Sequence, residues 1–367
     1  MRKTNVKRII FLDLMRALAV LMMVEGHTVD TFLADQFRDY SSVGYNIWLT
    51  IRGFTAPIFM FTSGVVFTYL LKLQDLPFKE NPRVYKGLKR FVTLVLIGYV
   101  LRFPTYKIFD YNEVTKEQWL SFFAVDALHL IGFGLLFIIG LLFIADKLKA
   151  KDSYLLLSGA CFFFVAYLFV ENINWIDFFP APLAAYFYSK SGSLFPLFPW
   201  SGYVITGAIL GQYLAKNPDA FTTKSFSMKL SIVGIALLLT SFIFHYIEDL
   251  FYGNKQFWTD QFALIFYRLG VVLLLNSAMS FLAAKIKNIP ELVKQIGRNT
   301  LLIYAVHVVI LYGSAWFPGF YKYFARTLSF SESLFAALLM ILLMVWMVKL
   351  IQRYKDYQKK KLAVAEI

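Results

Sequence analysis

In the stretch IFLDLMRALAVLMMVEGH, ten residues separate Arg16 from His27. On an α-helix eleven steps of about 100° come close to three whole turns, so both side chains project from one face, roughly 16 Å apart along the axis. Asp13 falls near the same face, Glu25 points to the opposite side without an assignable role, and Asp30, three residues after His27, falls at the end of the helix. Histidine is the side chain best suited to moving a proton near neutral pH, and guanidinium prefers phosphate or carboxylate. The separation is about that of an extended thioester cofactor arm. The pair therefore suits transfer of an acyl group from a thioester donor on one side of a membrane to an acceptor on the other. It equally suits a proton-coupled transporter or exporter of a small polar or saccharide substrate. Residue chemistry alone leaves both open.

Further ionisable groups lie within apolar runs: Arg52, Asp126, His129, Arg268, His307 and, at the end of a run, His245, which has no assignable role. A charge inside a membrane helix costs roughly 2.5–3.5 kcal/mol on insertion scales and usually faces the bundle interior. His27, Arg52, Asp126, His129 and Arg268 come from four runs yet fall at one depth. They predict a polar chamber open to the outer face, with Asp126 paired to Arg52 or Arg268 to offset burial. Asp126 and His129, at i,i+3, share a helix face and join His27 as candidate catalytic groups. Arg16 and Asp13 are candidates for holding the donor. Arg52, Arg268, His307 and Trp200 are candidates for holding the acceptor, with Trp200, after Pro199, offering an aromatic platform to a sugar ring. No metal site is expected, since the chain has a single cysteine.

The elements that must position these groups follow from composition. Of 367 residues, 59% are hydrophobic and 16% charged, against about 45–50% and 25% in soluble domains. Such a chain cannot solvate a water-facing exterior. Apolar runs cover 9–29, 45–71, 88–104, 121–145, 153–170, 199–215, 229–247, 261–284, 298–316 and 333–351. These predict an all-α, polytopic membrane bundle of about ten helices, forming a single domain over 1–367, since the runs are too long and uniformly apolar for barrel strands. The segment 172–198, with Pro180, Pro182, Pro196 and many aromatics, is too broken to span and is expected at the outer face.

Most of the 37 Lys and Arg fall on alternate segments, on the same side as the N-terminus, and each of those carries at least as many as any segment opposite. That pattern places both termini in the cytoplasm, in the cell membrane. It also accounts for the net charge of +14 without nucleic acid. Basic Met1–Arg8 is expected to lead into a retained first helix, because Asp13 and Arg16 interrupt the apolar stretch and no small-residue cleavage site follows. Cys161 is expected to be buried and inert, FFFVAYLF at 162–169 to face lipid or pack, and Gly207 to Gly211 to allow close helix packing.

Arg16 and His27 match the arginine–histidine signature of the transmembrane acyltransferases of the acyltransferase-three group, and the stretch quoted above looks like that superfamily's opening helix. More of the chain resembles its heparan-α-glucosaminide N-acetyltransferase-like branch: TAPIFMFTSGVVF at 55–67, VDALHLIG at 125–132, FPLFPWSGYVITGAILG at 195–211 and GRNTLLIYAVHVVIL at 297–311, in the expected order. The resemblance implies a bundle of ten or eleven helices, acyl-CoA (often acetyl-CoA) as co-substrate and a saccharide or glycoconjugate hydroxyl or amine as acceptor. It implies His27 as the catalytic histidine and Arg16 as its partner, and it is compatible with a homodimer. The sequence departs from the branch at Arg38, where the heparan enzymes look to carry their histidine, and at Ala17, where glycine is usual. The heparan substrate therefore does not follow.

Overall fold

The computed structural model describes residues 9–365 apart from 75, 105–110, 113, 253–261, 287–288 and 315–316. The basic Met1–Arg8 stretch lies outside these. The helices are α1 (Ile10–Phe32), α2 (Val43–Arg52), α3 (Thr55–Lys72), α4 (Pro82–Leu101), α5 (Lys116–Phe123), α6 (Ala127–Leu148), α7 (Asp152–Val170) and α8 (Ala181–Ala184), followed by α9 (Leu197–Lys216), α10 (Lys224–Tyr252), α11 (Phe262–Lys285), α12 (Glu291–Arg298), α13 (Thr300–Tyr312), α14 (Tyr321–Phe324) and α15 (Phe330–Ala365). No extended strand occurs among the described residues, only two isolated bridges.

Among the described residues, six helical spans are long and apolar enough to cross a bilayer: Val43–Lys72, Lys116–Leu148, Asp152–Val170, Lys224–Phe251, Phe262–Lys285 and Phe330–Lys359. Helices α1, α4 and α9, of 23, 20 and 20 residues, have the length as well. The chain is a multi-pass, all-α membrane protein. Two expected spans are interrupted. Residues 45–71 divide into α2 and α3 at Gly53 and Phe54, and 121–145 divides into α5 and α6 at 124–126. The ninth expected span, 298–316, reaches partly into undescribed residues, and its helix α13 has 13 residues, about 20 Å of rise, short of a bilayer's roughly 30 Å core.

Two compact units divide the chain. The first comprises Ala56–Lys287 with the start of α1 as far as Leu12, and the second Asp13–Thr55 with Asn288–Ile367.

The first unit packs on small residues. A Cβ added at Gly207 or Gly211 of α9 would run into the carbonyls of Phe61 or Val65 on α3, and one at Gly64 of α3 into the Val204 carbonyl of α9. The two backbones thus touch along a small-residue stripe, as helices do in lipid where packing replaces the hydrophobic drive. Helices α10 and α11 meet similarly. Gly234 faces the Gly270 carbonyl, and the hydroxyls of Ser231 and Ser277 lie 2.8 Å apart. Outward, α10 shows Ile232, Val233, Ile235, Leu239, Phe242 and Ile243, a face only lipid would solvate. Cys161 also points outward from α7, contrary to the expected burial. An apolar run does not tell which of its sides meets lipid.

The α5–α6 break is tolerated because protein covers it. Val125 N–H donates to Ser193 Oγ at 2.9 Å, and the Val125 carbonyl accepts from Leu194 and Phe195 at 3.1 and 3.2 Å. The segment after α7 is short turns, as its prolines predict, stacked on Trp175 and Phe187 at 4.6 Å.

In the second unit, the C-terminal carbonyls of α1 have no intrahelical donors. Those of Thr31 and Phe32 accept from Arg326 N–H and Leu328 N–H at 3.0 and 2.9 Å. Val29 and Leu33 pack with Tyr45 and Trp48 of α2 and Ala337 of α15.

Gly207→Ala is expected to destabilise the protein by about 1–3 kcal/mol, the usual cost of overpacking. Gly140→Ala, where an added Cβ meets nothing within 4 Å, is expected to be neutral or slightly stabilising. Thermal unfolding of both variants in the same detergent checks this.

Candidate active site

The second unit carries Asp13, Arg16, His27, Arg52 and His307, and the first carries Asp126, His129, Trp200 and Arg268.

In the second unit α1 turns its polar face to α13. Arg16 Nη2 donates to Thr300 Oγ1 at 3.3 Å. His27 Nδ1 lies 3.0 Å from His307 Nε2, and the other ring nitrogen of His307, Nδ1, lies 2.8 Å from the Ile303 carbonyl. Two contacts thus tie the N-terminal and C-terminal halves of one α1 face to one helix. Tyr304 and Tyr312 stand edge-on to the His27 ring, with centroids 6.5 and 6.1 Å away. His307 is fully buried and His27 is half-buried. α12 comes close to α1 at Asp13, where a Cβ on Gly297 would sit 2.8 Å from the Asp13 carbonyl oxygen.

The C-terminal end of α1 carries a charge cluster. Asp30 accepts from Arg52 Nη2 through Oδ2 at 2.8 Å and from Arg38 Nη1 through Oδ1 at 3.1 Å. Arg38 also donates to the Asp30 and Leu33 carbonyls at 2.5 and 3.1 Å. Gly26 leaves room for the Arg52 stem, since a Cβ there would lie 3.3 Å from its Cγ. Glu25, on the opposite side of α1, accepts from Trp48 Nε1 at 2.8 Å, which gives that residue the role its sequence position did not. Arg52 reaches over the Trp48 ring, 5.4 Å from its centroid. Within its own unit, Arg52 pairs with Asp30.

In the first unit Asp126 is the N-cap of α6. Its Oδ1 accepts from the backbone N–H groups of Leu128 and His129 at 2.9 and 3.1 Å and lies 2.8 Å from His129 Nδ1. The pair forms a capping box with histidine in the third position. Arg102 Nε approaches Asp126 Oδ2 at 3.7 Å. The His129 ring presses on α4, where a Cβ on Gly98 would lie 2.5 Å from its Cε1, and Tyr99 covers it at 4.4 Å. Tyr99 Oη in turn lies 2.8 Å from Tyr186 Oη. Elsewhere in this unit the Arg268 guanidinium lies 5.1 Å above the Trp200 ring, a cation–π arrangement, with Phe195 edge-on to Trp200 at 4.9 Å. His245 is half-exposed and lies 3.5 Å from Asp249 one turn later.

The structure therefore joins His27 with His307, Asp126 with His129, and Trp200 with Arg268. Composition and spacing did not single out Thr300, Arg102, Tyr99 or Tyr186. Asp30, Glu25 and Arg38 were visible as charges but not as a cluster.

With that geometry in view, the profile of the acyltransferase-three family, an acyltransferase domain, matches residues 9–349. The chain belongs to this family and is a membrane acyltransferase. No individual curated protein matches it.

Asp126→Ala is expected to cost about 0.5–2 kcal/mol of stability, the usual loss for an N-cap. Asp126→Asn keeps an oxygen for the Leu128 and His129 amides and is expected to retain most of it. Thermal unfolding of the two variants separates a capping role from a purely acid–base one, in which stability would be unchanged in both.

Proposed function

We propose that the protein moves an acyl group, acetyl in the first instance, from cytoplasmic acyl-CoA to a hydroxyl or amine of a saccharide or glycoconjugate at the outer face of the cell membrane, with both termini in the cytoplasm. The observation that carries this reading is that α1 directs Arg16 and His27 at the same helix, α13, through Thr300 and His307. One continuous face then offers an anion-binding group at one end and a proton acceptor at the other. The Arg-to-His spacing of the acyltransferase-three signature and the resemblance to the heparan-α-glucosaminide branch support the donor and acceptor classes.

In the proposed reaction the acceptor oxygen or nitrogen attacks the thioester carbonyl carbon and gives its proton to His27. The tetrahedral adduct collapses, the carbon–sulfur bond breaks with its electrons on sulfur, and the thiolate takes the proton back from His27. The products are acylated acceptor and free CoA thiol, with His27 restored. Arg16 binds phosphate of the donor through its planar fork, with Asp13 as its neighbour on that face. Trp200, with Arg268 over one face, suits the apolar face of a sugar ring and its hydroxyls. Arg52, held by Asp30, orders the outer end of α1.

Acyl transfer from labelled acetyl-CoA by purified protein tests the reading. His27→Ala is expected to lower the rate by about 10²–10⁴, the usual contribution of a general base, without loss of donor binding. Wild-type transfer by folded His27→Ala would remove His27 from the chemistry. Arg16→Lys keeps the charge but loses the fork and is expected to raise the donor KM. In sealed, oriented vesicles, transfer is expected only with donor on the cytoplasmic side and acceptor outside. Efficient transfer with both substrates on the cytoplasmic side would overturn the transmembrane path.

A further inference from the structure

We infer that His307 is a positioning residue that locks the tautomer of His27, so that Nε2 of His27 is the nitrogen that takes the acceptor's proton. This rests on the reading of His27 as the general base and deepens it.

The argument runs through four atoms. A backbone carbonyl can only accept, so the 2.8 Å contact with the Ile303 carbonyl fixes hydrogen on His307 Nδ1. In the neutral ring the lone pair is then on His307 Nε2. At 3.0 Å from that lone pair, His27 Nδ1 must be the donor. A neutral His27 with hydrogen on Nδ1 has its lone pair on Nε2, the form a base requires. The helix backbone thus sets the tautomer of one ring, and that ring sets the tautomer and orientation of the next. This is the office a carboxylate fills when it orients a catalytic histidine, performed here by a neutral group.

Burial supports a neutral His307. It is fully buried, with Tyr304 edge-on to its ring at 5.7 Å, and a charged imidazolium there would lose its hydration. Tight packing also fixes the ring, because Nδ1 is held four residues back on its own helix. When His27 takes a proton, its Nδ1–H remains directed at the His307 lone pair, and the bond becomes charge-assisted and stronger. The support therefore grows as the proton moves, which is what lowers a barrier.

The competing account is that the two histidines merely pack α1 against α13. Variants of different hydrogen-bonding capacity separate these. In His307→Gln the side-chain oxygen comes near the position of Nε2 and can accept from His27 Nδ1–H. In His307→Leu nothing accepts. We expect His307→Leu to lower kcat by ~10–100-fold, the range seen when an orienting neighbour of a functional group is lost, with the donor KM unchanged. His307→Gln is expected to recover most of kcat. A packing role predicts that leucine serves at least as well as glutamine.

A second measurement needs no turnover. The chain has four histidines, so ¹⁵N-histidine NMR, with His27→Gln and His307→Gln to assign signals, can read the tautomers of the resting protein. Hydrogen on Nδ1 of both His27 and His307 is expected. Hydrogen on Nε2 of His27 would overturn the inference even if His27→Ala were inactive. If His27→Ala kept full activity, the reading of the base would fail instead. Loss of activity in His27→Ala with full kcat in His307→Leu would overturn the role of His307 alone.

Discussion

Carrying ionisable side chains through a bilayer is the constraint on which the second unit depends. Helix α1 bears Asp13, Arg16, Glu25, His27 and Asp30 within 23 residues. On insertion scales each charged group near a helix centre costs roughly 2.5–3.5 kcal/mol, so α1 is viable only beside helices that bring matching polar atoms. α13 brings Thr300 and His307 to one face. α2 brings Arg52 and Trp48, and the following loop of α1 folds Arg38 back onto Asp30. The positions of α2 and α13 follow from what α1 requires. Even the break between α2 and α3 serves this, since Arg52 is the last residue of α2 and reaches Asp30 from there. Gly26 completes the arrangement by leaving room for the arginine stem.

The first unit meets the same solvent by other means. Its contacts are made by absence of side chain, at Gly64, Gly207 and Gly211 and at Gly234 and Gly270, together with serine hydroxyls that find partners across helices. Among the described residues of this unit, the buried pair Asp126 and His129, with half-buried Arg102 beside it, is spent largely on the start of α6. Four backbone N–H groups are orphaned at a helix N-terminus, and an N-terminus buried by the loop over Val125 cannot give them to water. Asp126 takes two of them, and His129 lies against the carboxylate. The capping geometry alone accounts for a carboxylate at this depth.

Much of this was legible in the sequence because lipid imposes long apolar runs. The extents of α1, α7 and α11 follow within a few residues from 9–29, 153–170 and 261–284. The breaks were hidden for a physical reason. Ala124 and Val125 are as apolar as a helix interior, and what stops the helix is Asp126, whose side chain competes for amides. An aspartate followed three residues later by a polar side chain at the head of an apolar run is a capping signature, so spacing that looks like a chemical face also had this second meaning. The approach of α1 to α13 was half visible. The spacing of Arg16 and His27 puts them on one face, but nothing local to either indicates residues 300 and 307, some 280 positions away. Depth alone grouped His27 with Arg52, and it did not bring His307 to either of them. Pairing depends on rotation about the helix axis, which a run as largely apolar as TLLIYAVHVVILY scarcely specifies.

The neutral His307 inferred as the partner of His27 has an energetic logic in this setting. A carboxylate in place of His307 would support an imidazolium more strongly, but in the resting state it would be a buried charge, costing several kcal/mol unless it were itself paired. The C-terminal end of α1 already commits Arg38 and Arg52 to Asp30. An imidazole anchored to the Ile303 carbonyl gives direction and tautomer without adding charge. What it gives up is the full electrostatic support that a charged neighbour would give the proposed base once protonated. With the proposed donor that loss is small in consequence. A thioester carbonyl is already activated and a thiolate leaves readily, so the base need only remove a proton as the new bond forms and does not have to drive out a poor leaving group. A neutral histidine pair inside a membrane is thus matched to acyl transfer from a thioester, whereas hydrolysis of an amide at the same place would call for the stronger, charged arrangement.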